Sequence, residues 1–344
     1  LKTVQKFQPY FGTDHTKFNS LKALLEKPID SSIQIHKVGE GVNTVQGSEY
    51  MPVISGDETI MYFCGNKRAN NLGGEDIFSS QFDKGKWAEA QIVGGLSSAN
   101  SNDAPLSISA DGTRMLLFQE GSLYYSEKTV AGWGEPEWFP QHINAANWQS
   151  DAMITSNGRG LLFASTRTGG YNLSAEQQIY HGDNLYPSDI YISQLGDDGQ
   201  WGDPINLGPV VNTPYSDRMP FLHPDMKTLY FSSDGHGGLG KMDVFMTTRL
   251  ADSCWTCWSE PINLGKEINT QESDAGYKIS TTGDKAYFSF AKKSNDRSSV
   301  IFLVDVSGSM HGQKLQSLKE ATIAACETAL NNNAEVAVLA FAGS

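Results

Sequence analysis

Short runs of apolar and aromatic residues, separated by polar turns holding Gly, Asp or Asn, fill most of the chain, and this pattern predicts β-strands. The runs come in pairs across a turn: residues 50–55 with 59–63, 104–109 with 114–118, 152–155 with 160–163, 219–222 with 228–231, and 276–280 with 285–288. A third strand follows four of the pairs, at 76–78, 122–125, 189–192 and 243–246. A fourth element then carries Trp87, Trp133, Trp201 or Trp258, and twice ends in Ile-Asn-Leu-Gly, at 205–208 and 262–265. An acidic residue leads each pair: Glu49, Asp103, Asp151, Asp217 and Asp274, spaced 54, 48, 66 and 57 apart. A repeat of about 50 residues with four short strands is one blade of a β-propeller, so the expected fold is an all-β propeller with five visible repeats.

The count allows six blades. Residues 33–44 read like the end of a preceding unit, with Val42-Asn43-Thr44 echoing Val211-Asn212-Thr213. They are expected either to close the ring or to be the remnant of an earlier blade. Before them, 14–27 places Phe18, Leu21, Leu24 and Leu25 on one face of a short amphipathic helix that Pro28 ends, expected to pack on the propeller. After residue 299 the period changes. A continuous apolar run at 300–304 suits a strand buried on both faces, and 312–330 sets Leu315, Leu318, Thr322, Ala325 and Ala329 at helical spacing. A second apolar run at 335–341 completes β–α–β, consistent with a parallel sheet and a right-handed crossover. The expected organisation is a segment at 1–41, a propeller at 42–298 and an α/β piece at 299–344.

Composition narrows the partners. The 344 residues suffice for two domains, and 34 Gly with 16 Phe, 13 Tyr and 7 Trp fit a strand-and-turn fold. A net charge of −13 and the lack of any Lys/Arg block argue against nucleic acid. No apolar run approaches the ~20 residues of a membrane span. The chain opens on Leu1, without a targeting segment, and reads as a fragment or a processed product, so its start does not report its compartment.

Ser216-Asp-Arg-Met-Pro220, His223-Pro-Asp225, 229–233 (Leu-Tyr-Phe-Ser-Ser), Gly237-Gly238, Asp243-Val-Phe245 and 258–265 (Trp-Ser-Glu-Pro-Ile-Asn-Leu-Gly) together resemble TolB-type, WD-repeat-like β-propellers. More narrowly, they are similar to propellers of bacterial cell-envelope proteins, often carried beside an OmpA-like peptidoglycan-binding domain. The resemblance covers 42–291; the second repeat departs from it by lacking the Gly-Gly and Asp-aromatic elements. It implies a periplasmic, outer-membrane-associated or cell-surface protein whose propeller binds protein or cell-wall partners without catalysis.

The apolar run at 300–304, Asp305-Val-Ser-Gly-Ser309 and Lys314-Leu315 resemble the start of a von Willebrand factor A domain over 46 residues. That resemblance implies a metal-ion-dependent adhesion site with Asp305, Ser307 and Ser309 as ligands of Mg²⁺ (or Mn²⁺ or Ca²⁺) in the first loop. The chemistry is suitable, because hard divalent cations prefer oxygen donors. An incomplete ligand set leaves a coordination position for an acidic side chain of a protein partner. The family's remaining ligands, a Thr and an Asp from later loops, are not in this sequence, so the domain is expected to be incomplete here. The plainer reading is that Ser307 or Ser309 caps the following helix.

Other candidates have structural readings. A glycosidase needs two carboxylates in different environments, whereas one carboxylate recurring in every repeat is a turn feature. The Asp-Gly pairs at 111–112 and 198–199 lack the surrounding order of a sialidase Asp-box, and no Gly-x-Ser-x-Gly elbow occurs. The expected protein is therefore not an enzyme. Cys254-Trp-Thr-Cys257 lies in a β connection, where a local disulfide, free thiols, or a metal or redox pair are the alternatives; a disulfide fits an oxidising compartment. Cys64 and Cys326 are expected to be buried thiols. The seven histidines (15, 36, 142, 181, 223, 236 and 311) show no ligand spacing. The longest repeat is the third, whose excess at 172–187 is either a binding loop or an inert insertion.

Overall fold

The computed structural model describes residues 16–30, 32–172, 178–180, 183–185, 187–280, 282–290 and 300–303. Helix α1 (Thr16–Glu26) precedes a two-residue strand, β1 (His36–Lys37). The first sheet then holds β2 (Ser48–Ile54), β3 (Ile60–Asn66), β4 (Glu75–Asp83), β5 (Lys86–Trp87) and β6 (Gln91–Ile92). The second holds β7 (Asp103–Ile108), β8 (Arg114–Gln119), β9 (Ser122–Thr129), β10 (Gly132–Trp133) and β11 (Glu137–Trp138). In the third, β12 (Gln149–Ile154) and β13 (Gly160–Ser165) are followed by a separate hairpin, β14 (Gln178–Tyr180) and β15 (Asp183–Leu185), before β16 (Asp189–Gln194) and β17 (Ile205–Asn206) complete the sheet. The fourth comprises β18 (Asp217–Leu222), β19 (Thr228–Ser233), β20 (Asp243–Thr248) and β21 (Ile262–Asn263). Last come β22 (Asp274–Ile279), β23 (Ala286–Phe290) and β24 (Val300–Leu303).

Four sheets are thus each cut from one stretch of chain, and a fifth combines β1 with the distant β22, β23 and β24. Its strand order is β1-β24-β23-β22, with His36 opposite Leu303 and Lys37 opposite Phe302. The innermost strands β2, β7, β12, β18 and β22 neighbour one another in sequence, and β22 returns to β2. That closed cycle is a propeller. The segment at 33–44 therefore supplies a closing strand.

Val300–Leu303, read from the sequence as the opening strand of the A-domain piece, lies between β23 and β1 as the third strand of the fifth sheet. A short apolar run suits either position, because periodicity alone does not tell a third blade strand from a parallel one. Asp305, Ser307, Ser309 and the rest of 304–344 lie outside the described residues.

Local chemistry repeats with the blades. At the first hairpin of blade one, Asp57 Oδ1 accepts from Ser55 Oγ (2.6 Å), the Thr59 amide (3.1 Å) and Thr59 Oγ1 (2.8 Å). Asp111 does the same with Ser109 and Thr113, and Asn157 with Thr155 and the Arg159 amide. These Asx turns are why polar residues punctuate the strand pairs. A buried Asp at the head of the third strand holds the preceding Gly-Gly loop. Asp189 accepts from the Tyr171 amide (2.6 Å), and Asp243 from the amides of Leu239 (2.6 Å) and Gly240 (3.1 Å). A Cβ on Gly170 would lie 2.1 Å from Asp189 Oδ2, and one on Gly238 1.9 Å from Asp243 Oδ2, so only glycine fits. Blade two needs neither element, because a tight turn through Gly121 (φ +85°) joins β8 directly to β9.

The core lies between blades. Val53, Tyr62 and Ile77 of blade one meet Met115 and Leu117 of blade two. Likewise Met153, Leu162 and Ile190 meet Leu222, Leu229 and Phe231 across blades three and four. Tyr287 of the fifth sheet packs with Met61, Phe63 and Phe78 of the first. Stacked aromatics of the second and third strands are capped by a planar polar group: Arg68 over Phe63 and Phe78, Arg167 over Phe163 and Tyr191, and His236 beside Phe231 and Phe245. Each cap also donates to a carbonyl just before its blade, from Val42, Ile143 and Val211 respectively. At the C-terminal end of helix α1, Lys266 Nζ of the propeller donates to the carbonyls of Leu25 (3.2 Å) and Lys27.

Candidate functional site

Four of the five leading acidic residues do the same local task. Glu49 accepts from Thr44 Oγ1 (2.6 Å) and from Arg68 Nη1 (2.8 Å). Asp103 accepts from the Ser98 amide, Ser101 Oγ and Gln119 Nε2, each at 2.8 Å. Asp217 accepts from the Thr213 amide, Thr213 Oγ1 (2.9 Å) and Ser233 Oγ, and Asp274 from the Thr270 amide (2.6 Å) and Thr270 Oγ1 (3.1 Å). Each fastens the bend that enters its own blade. Burial pushes Asp217 and Asp274 up to about 8, against the donors that favour their charge.

The fifth, Asp151, is different, and here the repeat read from the sequence is corrected. Gln149 takes the leading place in blade three: it pairs with Ser165 as Asp217 pairs with Ser233, and its Oε1 accepts from the Ala146 amide at 2.6 Å. Asp151 sits two residues on, inside a β-bulge that interrupts the register between Ser150 and Met153. All five inner strands carry a bulge at this point, between Tyr50 and Val53, Pro105 and Ser107, Arg218 and Phe221, and Ala275 and Lys278. Met51, Asp151, Met219 and Gly276 hold equivalent places there with φ between +52° and +71°. Asp151 is buried and ionically paired to Arg218 of blade four (Nε–Oδ2 2.8 Å), whose guanidinium lies over Trp148 at 4.6 Å.

Four residues after each leading position come Val53, Ser107, Met153, Phe221 and Lys278. All five line one cavity of about 350 Å³ at the axis, which the hairpins following the inner strands surround. Four members of this ring are uncharged and one is a lysine. Lys278 Nζ donates to the Leu106 carbonyl across the ring at 2.7 Å. Burial lowers its amine to about 7, with Asp151 acting in the opposite sense. On the rim, Glu58 is paired with Lys285 at 2.8 Å. Arg218 and Lys278 were not singled out by sequence; the available signal was a cation in an inner strand, between Tyr277 and Ile279 in the case of Lys278.

The remaining candidates are placed as follows. Cys254 and Cys257 form a disulfide, with Trp255 between them under the Arg249 guanidinium (3.5 Å) and donating from Nε1 to Gln194 of blade three (2.5 Å). Cys64 is a buried thiol, and burial pushes it well up. His142 and His236 donate from their rings to backbone carbonyls, and burial lowers His236. Among the described residues no cluster of His, Cys, Asp or Glu is arranged to hold a metal ion, and no helix is long and apolar enough to cross a membrane. Half of the long loop of blade three, 173–177, 181–182 and 186, lies outside the described residues; its β14–β15 hairpin is described.

No protein-family model matches the chain, and no curated protein matches it. Among solved structures it is similar to a TolB-like protein from Agrobacterium tumefaciens, at 15% identity and a TM-score of 0.43 over 79% of this chain and 84% of the other. It is similar to an endo-arabinase from Bacteroides thetaiotaomicron (16%, TM-score 0.43, 73% and 92% covered). An N-acetylgalactosamine deacetylase from F. plautii is also similar (11%, TM-score 0.46, 79% and 95% covered). Likenesses at this level assign no function.

Proposed function

We propose that the chain is a non-enzymatic binding and scaffold protein of the bacterial cell envelope, with the propeller as a rigid interaction platform. One observation carries this reading: the recurring carboxylates are committed to structural donors, and the one left over at the axis, Asp151, is committed to Arg218. Hydrolysis of a glycosidic bond needs one neutral and one charged carboxyl group facing a common substrate, and the axial ring offers a lysine instead. In the same proposal the residues beyond Leu303, whose strand serves the fifth sheet, carry the von Willebrand factor A-like motif, and Asp305, Ser307 and Ser309 supply oxygen donors to a divalent cation that holds a partner's acidic side chain.

Capture of envelope proteins by the tagged full-length protein in Mg²⁺ and in EDTA tests the reading. Loss of a specific partner in EDTA, reproduced by Asp305→Ala, supports metal-dependent binding. A partner retained equally under both conditions reduces the A-domain segment to a packing role and leaves the scaffold function. The asymmetry of Asp151 gives a second reading, glycan hydrolysis, its one foothold. Turnover of a glycan panel by the wild type, abolished by Asp151→Asn, would establish that reading and overturn the first.

A further inference from the structure

The axial ring carries more than its share of unused polar capacity. An ammonium group has three donors, and the bond from Lys278 Nζ to the Leu106 carbonyl takes one. Ser107, the neighbour of Leu106 and itself a member of the ring, is buried, and its Oγ has no hydrogen-bond partner among the described residues. A buried hydroxyl without a partner is uncommon and calls for an occupant. Both groups belong to the same cavity, whose other ring members, Val53, Met153 and Phe221, are apolar. The volume, about 350 Å³, falls within the ~300–1,000 Å³ of small-ligand pockets, which pair mostly apolar walls with a few placed polar groups.

We propose that the axial cavity binds a small amphipathic carboxylate, which accepts from Lys278 Nζ and Ser107 Oγ and lays its apolar body on Val53, Met153 and Phe221. An anion is favoured over a neutral or cationic ligand because the rim carboxylate, Glu58, is paired with Lys285, and Asp151 is paired with Arg218, leaving Lys278 as the charge to be met. The site goes beyond the proposed interaction platform and does not depend on it, since the ligand is a small molecule and the residues are internal. Binding is coupled to a proton. The titratable and charged groups around Lys278 are Asp151 on β12, Arg218 on β18, Glu58 and Lys285 on the hairpins, and Tyr287 on β23; β7 contributes Ser107 and β2 Val53, neither of which titrates. The amine, lowered to about 7 when the cavity is empty, rises on meeting a carboxylate, so a ligand bound at pH 8 takes up most of one proton.

Calorimetric titration of the whole protein with octanoate and 4-phenylbutyrate, against octanamide and 4-phenylbutyramide, tests this. The carboxylates are expected to bind about tenfold or more tightly than their amides, as a charge-assisted bond in a partly dry site provides. Lys278→Met is expected to erase that preference, and Ser107→Ala to weaken carboxylate binding several-fold while leaving the amides unchanged. At pH 8 the heats are expected to vary with the ionisation enthalpy of the buffer. A thermal unfolding scan of each variant separates lost binding from lost fold, and Ser107→Ala serves alone if Lys278→Met unfolds. Equal affinity for acid and amide, no binding of either pair by the wild type, or buffer-independent heats would each overturn the proposal.

Discussion

Arg218 of blade four donates to both carboxylate oxygens of Asp151 of blade three, at 2.8 Å and 3.3 Å, so two neighbouring blades are tied by a charged pair close to the axis. Removing one partner strands the other. Asp151→Ala is expected to lower unfolding free energy by about 2–3 kcal/mol in a denaturant titration, and the double variant with Arg218→Ala to recover part of that loss. At φ +57° the position also disfavours branched side chains, so Asp151→Val is expected to cost more than Asp151→Asn.

The turn and blade-start carboxylates give stability a pH dependence with two opposite limbs. Their hydroxyl and amide donors hold Asp57 and Asp111 down to about 2, below the unfolded value of 3.8; that contribution is present above about pH 4 and is lost as pH falls toward 2. Asp217 and Asp274 are pushed up to about 8, so the folded state binds the extra proton, and stability declines as pH rises from about 4 to about 8. Asp217→Asn should therefore gain on the wild type in denaturant midpoint between pH 5 and pH 8. A constant difference across that range would contradict the assignment.

Much of this is legible in the sequence, and the exceptions have physical causes. The strand pairs, the hairpin turns and the roles of Glu49, Asp103, Asp217 and Asp274 follow from patterning, because a blade repeats its backbone bonds. Asp151 was misaligned because the acidic type at the blade start is not obligatory: Gln149 Oε1 accepts the same kind of amide bond. A fixed interval was the better guide. The turn residues Asp57, Asp111, Asn157 and Asp225 stand eight positions after Glu49, Asp103, Gln149 and Asp217, which selects Gln149 without reference to charge. The axial ring was not legible. Val53, Ser107, Met153, Phe221 and Lys278 share no chemistry, and bulges bring them to one place.

Gly238 and Gly94 mark the two extremes of what a Cβ would meet. Gly238→Ala drives a methyl group into the Asp243 carboxylate, and a cost above about 2 kcal/mol is expected from the clash and the broken loop bonds. Gly94, with nothing within 4 Å of a Cβ, should accept Ala within about 0.5 kcal/mol. Thermal unfolding of the two variants side by side checks both.

The Cys254–Cys257 link closes a very short loop, for which chain entropy supplies at most about 2 kcal/mol. Its larger effect is local: it keeps Trp255 against Arg249 and Gln194. Cys254→Ser with Cys257→Ser is expected to shift the melting temperature by only a few degrees while exposing Trp255, seen as a red-shifted fluorescence component. A large loss of stability without a spectral change would argue against that placement.

The fifth sheet joins β1 to β22, β23 and β24, which makes the propeller a ring whose clasp is β1. A chain emerging from a ribosome completes four blades while that clasp waits, and until 274–303 arrive the flanks of the first and fourth blades face water. Folding is thus local blade by blade but global at the last step, and a pause before the fifth sheet leaves an open, adhesive arc rather than a smaller propeller. Closure also makes the location of the ends arbitrary. A permuted chain broken in the connection at 98–101 and joined across β1 and β24 would keep every blade.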